Sequence, residues 1–396
     1  MLAKEIVIVS GVRTAIGAMG GSLKDVPMDD LGGLVIKEAV RRAGLEGSQV
    51  DEVIVGCVGQ IAEGGFIART SMLKAGLPLE TTAVSVNRQC GSGLQAVNSA
   101  VQAIQTEEAE IVVACGTENM DLLPYYLRKH RYGNRMGNDT LEDGVISILS
   151  WPLGPYHNGV TAENVAEQFH VSRQAQDEFA LSSQRKAEAA IKAGKFVDEI
   201  LPVEVKIGRE TKLFQQDEHP RFGVTLEAIG KMKPAFKAGG SVTAANASGI
   251  NDGAAAVVLM SREKADALGV KPLLSIKSQA VIGNDPDIMG FAPAAAIKKA
   301  VAKAGLTLAD IDLFEINEAF AAQAVAVVRD LKVPQEKVNV NGGAVALGHP
   351  IGATGTILVV KLMNEMKRRG SRYGVVSLCI GGGQGIATVF ENLQVS

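Results

Sequence analysis

Four short stretches set reactive or polar side chains beside glycine. In Asn87-Arg88-Gln89-Cys90-Gly91-Ser92-Gly93-Leu94 a β-branched run ends at Asn87, and helical periodicity runs from Leu94 to Gln105. Cys90 then occupies a glycine-flanked strand-to-helix turn, in the manner of a nucleophile elbow with Cys in place of Ser. The free N–H groups and dipole of a helix start stabilise a thiolate, the reactive form of cysteine. Within Gly342-Gly343-Ala344-Val345-Ala346-Leu347-Gly348-His349-Pro350-Ile351-Gly352, the proline holds His349 extended, and a base near a thiol is the pattern of nucleophilic catalysis. Cys379-Ile380-Gly381-Gly382-Gly383-Gln384-Gly385 ends the run Val375–Leu378 and leaves backbone N–H groups open to a ligand. It lacks the spacing of a dinucleotide-binding loop. In Glu315-Ile316-Asn317-Glu318-Ala319-Phe320 a strand hands over to a helix. There Asn317 either caps the helix or holds a water or substrate oxygen at the sheet edge.

The rest of the composition narrows the chemistry. Cys57, Cys90, Cys115 and Cys379 are dispersed, with no Cys-x-x-Cys pair, so a zinc site is not expected. Cys57 and Cys115 read as core cysteines, and His130, His170 and His219 as surface residues. The 40 Lys and Arg against 43 Asp and Glu leave a net charge of −3, which gives no global reason to bind nucleic acid or an anionic membrane. No apolar run reaches the roughly 18–20 residues of a membrane helix. Lys4-Glu5 before Ile6-Val7-Ile8-Val9 reads as a buried strand rather than a signal peptide. A cytoplasmic protein is the expectation.

Elements to position these residues are legible along all 396 positions. Short β-branched runs alternate with Ala- and Lys-rich helical stretches, which points to an α/β architecture with buried sheets. Ile36-Lys37-Glu38-Ala39-Val40-Arg41-Arg42-Ala43-Gly44-Leu45 returns as Ile297-Lys298-Lys299-Ala300-Val301-Ala302-Lys303-Ala304-Gly305-Leu306, each copy leading into a strand at the same spacing. Gly44 and Gly305 fall where a helix end needs a left-handed residue. The repeat implies a duplication, and it sets the His349 loop opposite Cys90. From about Asp121 to Ala247 the repeat is broken by a stretch richer in Tyr, His, Pro and charge, with one long helix over Ser172–Ala193. This is read as an insertion that carries substrate contacts.

In this order and spacing the four motifs resemble the thiolase family, the acetyl-CoA acetyltransferases and 3-ketoacyl-CoA thiolases, from Arg13-Thr14 to Gly385. The resemblance implies the thiolase fold, an α/β fold in which duplicated βαβαβαββ halves form a five-layer α/β/α/β/α sandwich. The N-terminal half would span 1–120 and 248–270, an inserted loop domain 121–247, and the C-terminal half 271–396. The implied activity is reversible Claisen condensation of two acetyl-CoA to acetoacetyl-CoA and CoA, or thiolysis of 3-ketoacyl-CoA. A long-chain degradative thiolase and a non-catalytic acyl-CoA carrier or scaffold are the alternatives. By resemblance, Cys90 carries the acyl group and His349 activates it. Cys379 exchanges the α-carbon proton, and Asn317 holds a water that helps stabilise the enolate. The N–H groups of Cys90 and Gly381 form a second oxyanion hole. His157 and Ser248 would face the pantetheine arm, Arg221 and Phe236 the nucleotide end, and Met289 and Phe320 the acyl region. Coenzyme A thioesters are substrates, no cofactor or metal is implied, and a homodimer or homotetramer is expected.

Two departures bear on specificity. The turn joins Asn87-Arg88-Gln89, similar to degradative members, to Gly91-Ser92-Gly93, similar to biosynthetic ones. Asn158 stands where many members have Met, and it either reshapes the acyl pocket or is an inconsequential surface change. Two thiols in one pocket, Cys90 and Cys379, would also permit a disulfide under oxidation.

Overall fold

A computed structural model describes residues 4–60, 62–154 and 156–395. The long strands of its large sheet are β1 (Ile6–Thr14), β2 (Glu52–Gly56), β3 (Thr82–Val86), β4 (Ile111–Asn119), β5 (Asn251–Ser261), β6 (Leu274–Gly283), β7 (Leu313–Ile316), β8 (Tyr373–Ile380) and β9 (Gln384–Asn392). They hydrogen-bond in the order β7-β8-β9-β6-β1-β5-β4-β2-β3. The helices that matter for the site are α1 (Met28–Arg42), α2 (Ile67–Lys74), α3 (Ser92–Gln105), α4 (Asn158–Gln168), α5 (Arg173–Lys192), α6 (Ala292–Lys303), α7 (Ala321–Leu331) and α8 (Thr354–Arg369).

The repeat in the sequence is a repeat in space. The first half runs β3-β2-β4-β5-β1 across its sheet; the second runs β7-β8-β9-β6, with Val338 bridging parallel to Phe314 where the first half has β3 beside β2. Both first strands carry a register shift at matching places, between Ile8 and Ser10 and between Ile276 and Ser278. The serine after each shift bonds the facing helix, Ser10 to Ala39 O and Ser278 to Ala300 O, both at 2.6 Å. Gly44 (φ 70°) and Gly305 (φ 73°) take the left-handed conformation expected of them.

Layering follows from which faces are apolar. Helices α3 and α8 contact strands of both halves, so they form the middle layer, while α1 and α2 cover the first sheet and α6 and α7 the second. Helix α8 buries twelve of its sixteen residues, which a helix between two sheets must do. The sheets are not fully separate: β1 and β6 pair at Val7–Ser275 and Ile8–Leu274, joining them at one corner. Residues 121–247 add only Ile200–Leu201 to this sheet and otherwise form helices and small hairpins. Among the described residues, no helix is long and apolar enough to cross a membrane.

Candidate active site

Each motif lies at the end of an element: Cys90 after β3, Asn317 after β7, Cys379 next to last in β8, and His349 in the loop before α8. The Cys90 turn is tight because Gln89 is left-handed (φ 47°). Two side chains hold it there. Asn87 Oδ1 accepts the Gln89 N–H at 2.9 Å, and Ser92 Oγ accepts from Arg88 N at 2.9 Å while donating to Gln89 O at 2.7 Å. The His349 loop lies directly on this turn. A Cβ on Gly355 would meet Leu94 N at 2.1 Å, and one on Gly93 would meet Thr356 N at 2.7 Å. Only glycine permits that approach.

Cys90 is 6% exposed, and burial pushes its thiol up to about 11, with the Glu118 charge adding to the rise. The N–H groups of Gly381 and of Cys90 itself face the sulfur and oppose the shift. The stabilisation that a helix start offers a thiolate is therefore outweighed here. Loss of water around the sulfur outweighs the dipole, and the resting group is a thiol that needs a base.

His349 is placed to be that base. The Thr354 hydroxyl donates to Pro350 O at 2.8 Å, so its oxygen accepts from His349 Nδ1–H at 2.6 Å. Nε2 is then the unprotonated nitrogen, and Asn317 Nδ2 donates to it at 3.3 Å. Burial pushes His349 down to about 4, so the ring is neutral at neutral pH. Asn251 Oδ1 fixes the backbone by accepting His349 N–H at 2.9 Å. Asn317 is 1% exposed and its Oδ1 is buried without a partner. It does not cap α7, which starts at Ala321 after Phe320, so of the two roles open from the sequence only the presentation of an unfilled polar group remains.

Cys379 is fully buried, and burial together with the nearby Cys90 charge raises its thiol above the ordinary value. All four cysteines are free thiols. Cys379, Met289 and Phe320 share an apolar cluster with Ala319 and the partly buried Phe236, while Cys90 belongs to a separate cluster with Val58, Met120 and Ile351. The two thiols are nonetheless near enough for a charge on Cys90 to act on Cys379.

The segment 121–247 supplies one wall. His157 stacks on Phe236 with ring centres 5.0 Å apart, and its Nδ1 accepts the Gly159 N–H at 3.0 Å. Phe236 meets Phe320 edge-on at 5.9 Å. Ser248 N donates to Ala319 O at 3.0 Å, which brings it beside Phe320. Arg221 is exposed and touches the rest through its backbone N–H, which donates to Gln184 Oε1 at 2.9 Å. Asn158 is not a surface residue: it is 8% exposed, and its amide lies 3.3 Å from where a Cβ on Gly381 would sit.

Residues 6–263 match the thiolase N-terminal domain and residues 270–392 the thiolase C-terminal domain. The chain belongs to the thiolase family. It is 52% identical to an acetyl-CoA acetyltransferase of Escherichia coli (strain K12), covering 99% of this chain and 100% of that one. The solved acetyl-CoA acetyltransferase of Bacillus anthracis superposes with a TM-score of 0.97 at 48% identity, over 99% of both chains. Human mitochondrial 3-ketoacyl-CoA thiolase in complex with CoA superposes at 0.95 with 43% identity, over 98% of both. The sandwich of duplicated halves is thus the thiolase fold.

Several residues around the thiolase site escaped the sequence reading. His219 is half-buried rather than fully at the surface: a Cβ on Gly249 would meet its ring at 2.4 Å, next to Ser248, and burial lowers its pKa. The Asp217-Glu218-His219 run was visible, but nothing local says that it folds back 30 residues onward. Trp151 covers Gly382, where a Cβ would meet the indole at 2.9 Å. Glu118, Asn251 and Thr354 hold the reactive loops from behind. Cys57 is a core cysteine as expected, although its Sγ reaches Glu118 Oε1 at 3.6 Å.

Proposed function

We propose that this chain is an acyltransferase that interconverts two acetyl-CoA with acetoacetyl-CoA and CoA through an acyl-Cys90 thioester. The observation that carries this reading is the convergence on one sulfur. Two backbone N–H groups face Cys90, and His349 in the adjoining loop keeps an unprotonated Nε2. A thiol is the fitting nucleophile because thioester exchange with CoA is then close to balanced and runs both ways.

In condensation, His349 Nε2 takes the Cys90 proton and keeps it as sulfur attacks acetyl-CoA; the carbon–sulfur bond to CoA breaks and CoA leaves with the proton of Cys379. The N–H groups of Cys90 and Gly381 stabilise the oxyanion. Cys379, now a thiolate of raised basicity, takes the α-proton of a second acetyl-CoA, a weak carbon acid. Asn317, through a water in line with its unfilled Oδ1, and His349 hold the enolate oxygen. The enolate carbon bonds the acetyl carbonyl, the carbon–sulfur bond to Cys90 breaks, and His349 returns the proton to Cys90. Thiolysis is the reverse. On this reading 1–120 with 248–270 supplies the nucleophile, and 271–396 supplies His349 and Cys379. Residues 121–247, with Ser248 just past their end, bind CoA, His157 and Ser248 along the pantetheine and Phe236 and Arg221 toward the nucleotide end. The exposed edge of β3 suits pairing with a second copy, giving a homodimer or homotetramer.

The test is CoA-dependent cleavage of 3-ketoacyl-CoA substrates of increasing chain length, with Cys90→Ala alongside. Cleavage of acetoacetyl-CoA, lost by about a thousandfold or more in the variant, is expected. Equal activity on long chains would move the reading to a broad degradative thiolase. A wild type that binds CoA and is as inactive as the variant would overturn it.

A further inference from the structure

Glu118 is next to last in β4, with its carboxylate fully buried between the loop after β2 and the His349 loop. Its oxygens accept four donors from two loops. Oε2 takes Val58 N–H and Gly352 N–H, each at 2.9 Å, and Oε1 takes Gly59 N–H at 2.9 Å and the Cys57 thiol at 3.6 Å. Both loops are cut to fit it: a Cβ on Gly352 would stand 2.5 Å from Oε2, and one on Gly59 2.8 Å from Oε1. Val58 packs in the cluster around Cys90, while Gly352 lies three residues past His349.

We infer that Glu118 is a positioning residue of the acyl-transfer site, whose single buried carboxylate sets the His349 loop against the wall of the Cys90 turn. The role rests on the acyltransferase reading for its consequence and on the hydrogen bonds for its geometry. Two lone-pair positions on each oxygen match four donors, so an ionised carboxylate satisfies all of them and a protonated one would aim a donor at a donor. A neutral amide has one acceptor oxygen, so at least one N–H loses its partner, and an orphaned buried N–H moves its loop or costs stability. The anion also bears on the nucleophile directly, since its charge favours the thiol form of Cys90. It adds to the burial that keeps Cys90 protonated at rest, so that the proton leaves to His349 only as sulfur attacks.

The test compares wild type with Glu118→Gln, which removes the charge, and Glu118→Asp, which keeps the charge but withdraws it by one methylene. Thiolysis is measured as kcat and KM, and Cys90 alkylation by iodoacetamide as a function of pH. Glu118→Gln is expected to lower kcat about tenfold or more with KM within about threefold. Its alkylation midpoint should move to lower pH by about half a unit or more. Glu118→Asp should lose kcat without moving the midpoint. Should Glu118→Gln not accumulate as folded protein, Gly352→Ala pushes the same contact from the other side and should lower kcat with the midpoint unmoved. A Glu118→Gln protein with kcat within about twofold of wild type, or with an unmoved midpoint, overturns the role. Wild type without thiolysis would instead sink the acyltransferase reading, and the alkylation arm would still judge Glu118.

Discussion

At the scale of single residues, burial decides the protonation states on which the chemistry depends. With Cys90 pushed up to about 11 and His349 down to about 4, the resting site holds a neutral thiol beside a neutral imidazole over the whole range between. As pH falls through the lower value, His349 takes a proton and can no longer accept one from Cys90. The acid limb of kcat/KM reports the essential base of the free enzyme. It should therefore lie nearer 4 than the 6.5 ordinary for histidine, and a pH profile of thiolysis checks this. The same shift has a stability consequence of fixed sign. The unfolded chain takes up the proton first, so this histidine's contribution is present above 6.5 and is lost as pH falls toward 4. An acid limb close to 6.5 would mean that water reaches the ring.

At the scale of elements, the site is made by two helix starts pressed together. Helices α3 and α8 occupy the middle layer, and their N-terminal ends interlock through Gly93 and Gly355. A methyl group at 355 would overlap Leu94 N, a backbone atom that cannot rotate aside. Gly355→Ala is expected to destabilise the protein by about 1–3 kcal/mol or more, as overpacking of a tight core does, and to lower kcat by separating His349 from Cys90. Urea denaturation and thiolysis measured on the same preparation test both effects. Unchanged stability would show that α3 and α8 slide without cost.

At the scale of the whole molecule, residues 121–247 are fastened to the first sheet by a buried ion cluster. Arg13 of β1 is 0% exposed and donates to Glu199 Oε1 at 2.8 Å and to Asp217 at 2.7 and 3.0 Å. Phe196 lies under the guanidinium with its ring centre 5.0 Å away. Removing one partner leaves the others as uncompensated buried charges, which is far costlier than never having built the cluster. Arg13→Met should lower stability by about 3–5 kcal/mol, read by denaturant titration. Because His157, Phe236 and Ser248 depend on the fastened segment, KM for CoA should rise more than kcat falls.

The sequence alone determined the local geometry and the inventory of reactive groups. Gly44 and Gly305 announced helix ends because a left-handed residue without a Cβ is a local requirement. Ser172 announced the start of α5, where its hydroxyl accepts the Ala175 N–H at 3.2 Å. The duplication was legible for a similar reason, since each copy repeats the same periodicity and strand spacing. The tertiary structure alone decided how those groups behave. Cys90 rests as a thiol because its burial outweighs the dipole of its own helix. Asn158 is buried and His219 half-buried because distant chain folds over them. Glu118 gave no sign in a strand of buried residues, for its partner Gly352 stands 234 positions away. Periodicity and φ preference act over a few residues and can be read in order. Desolvation and the sharing of one carboxylate between loops exist only once the chain has closed.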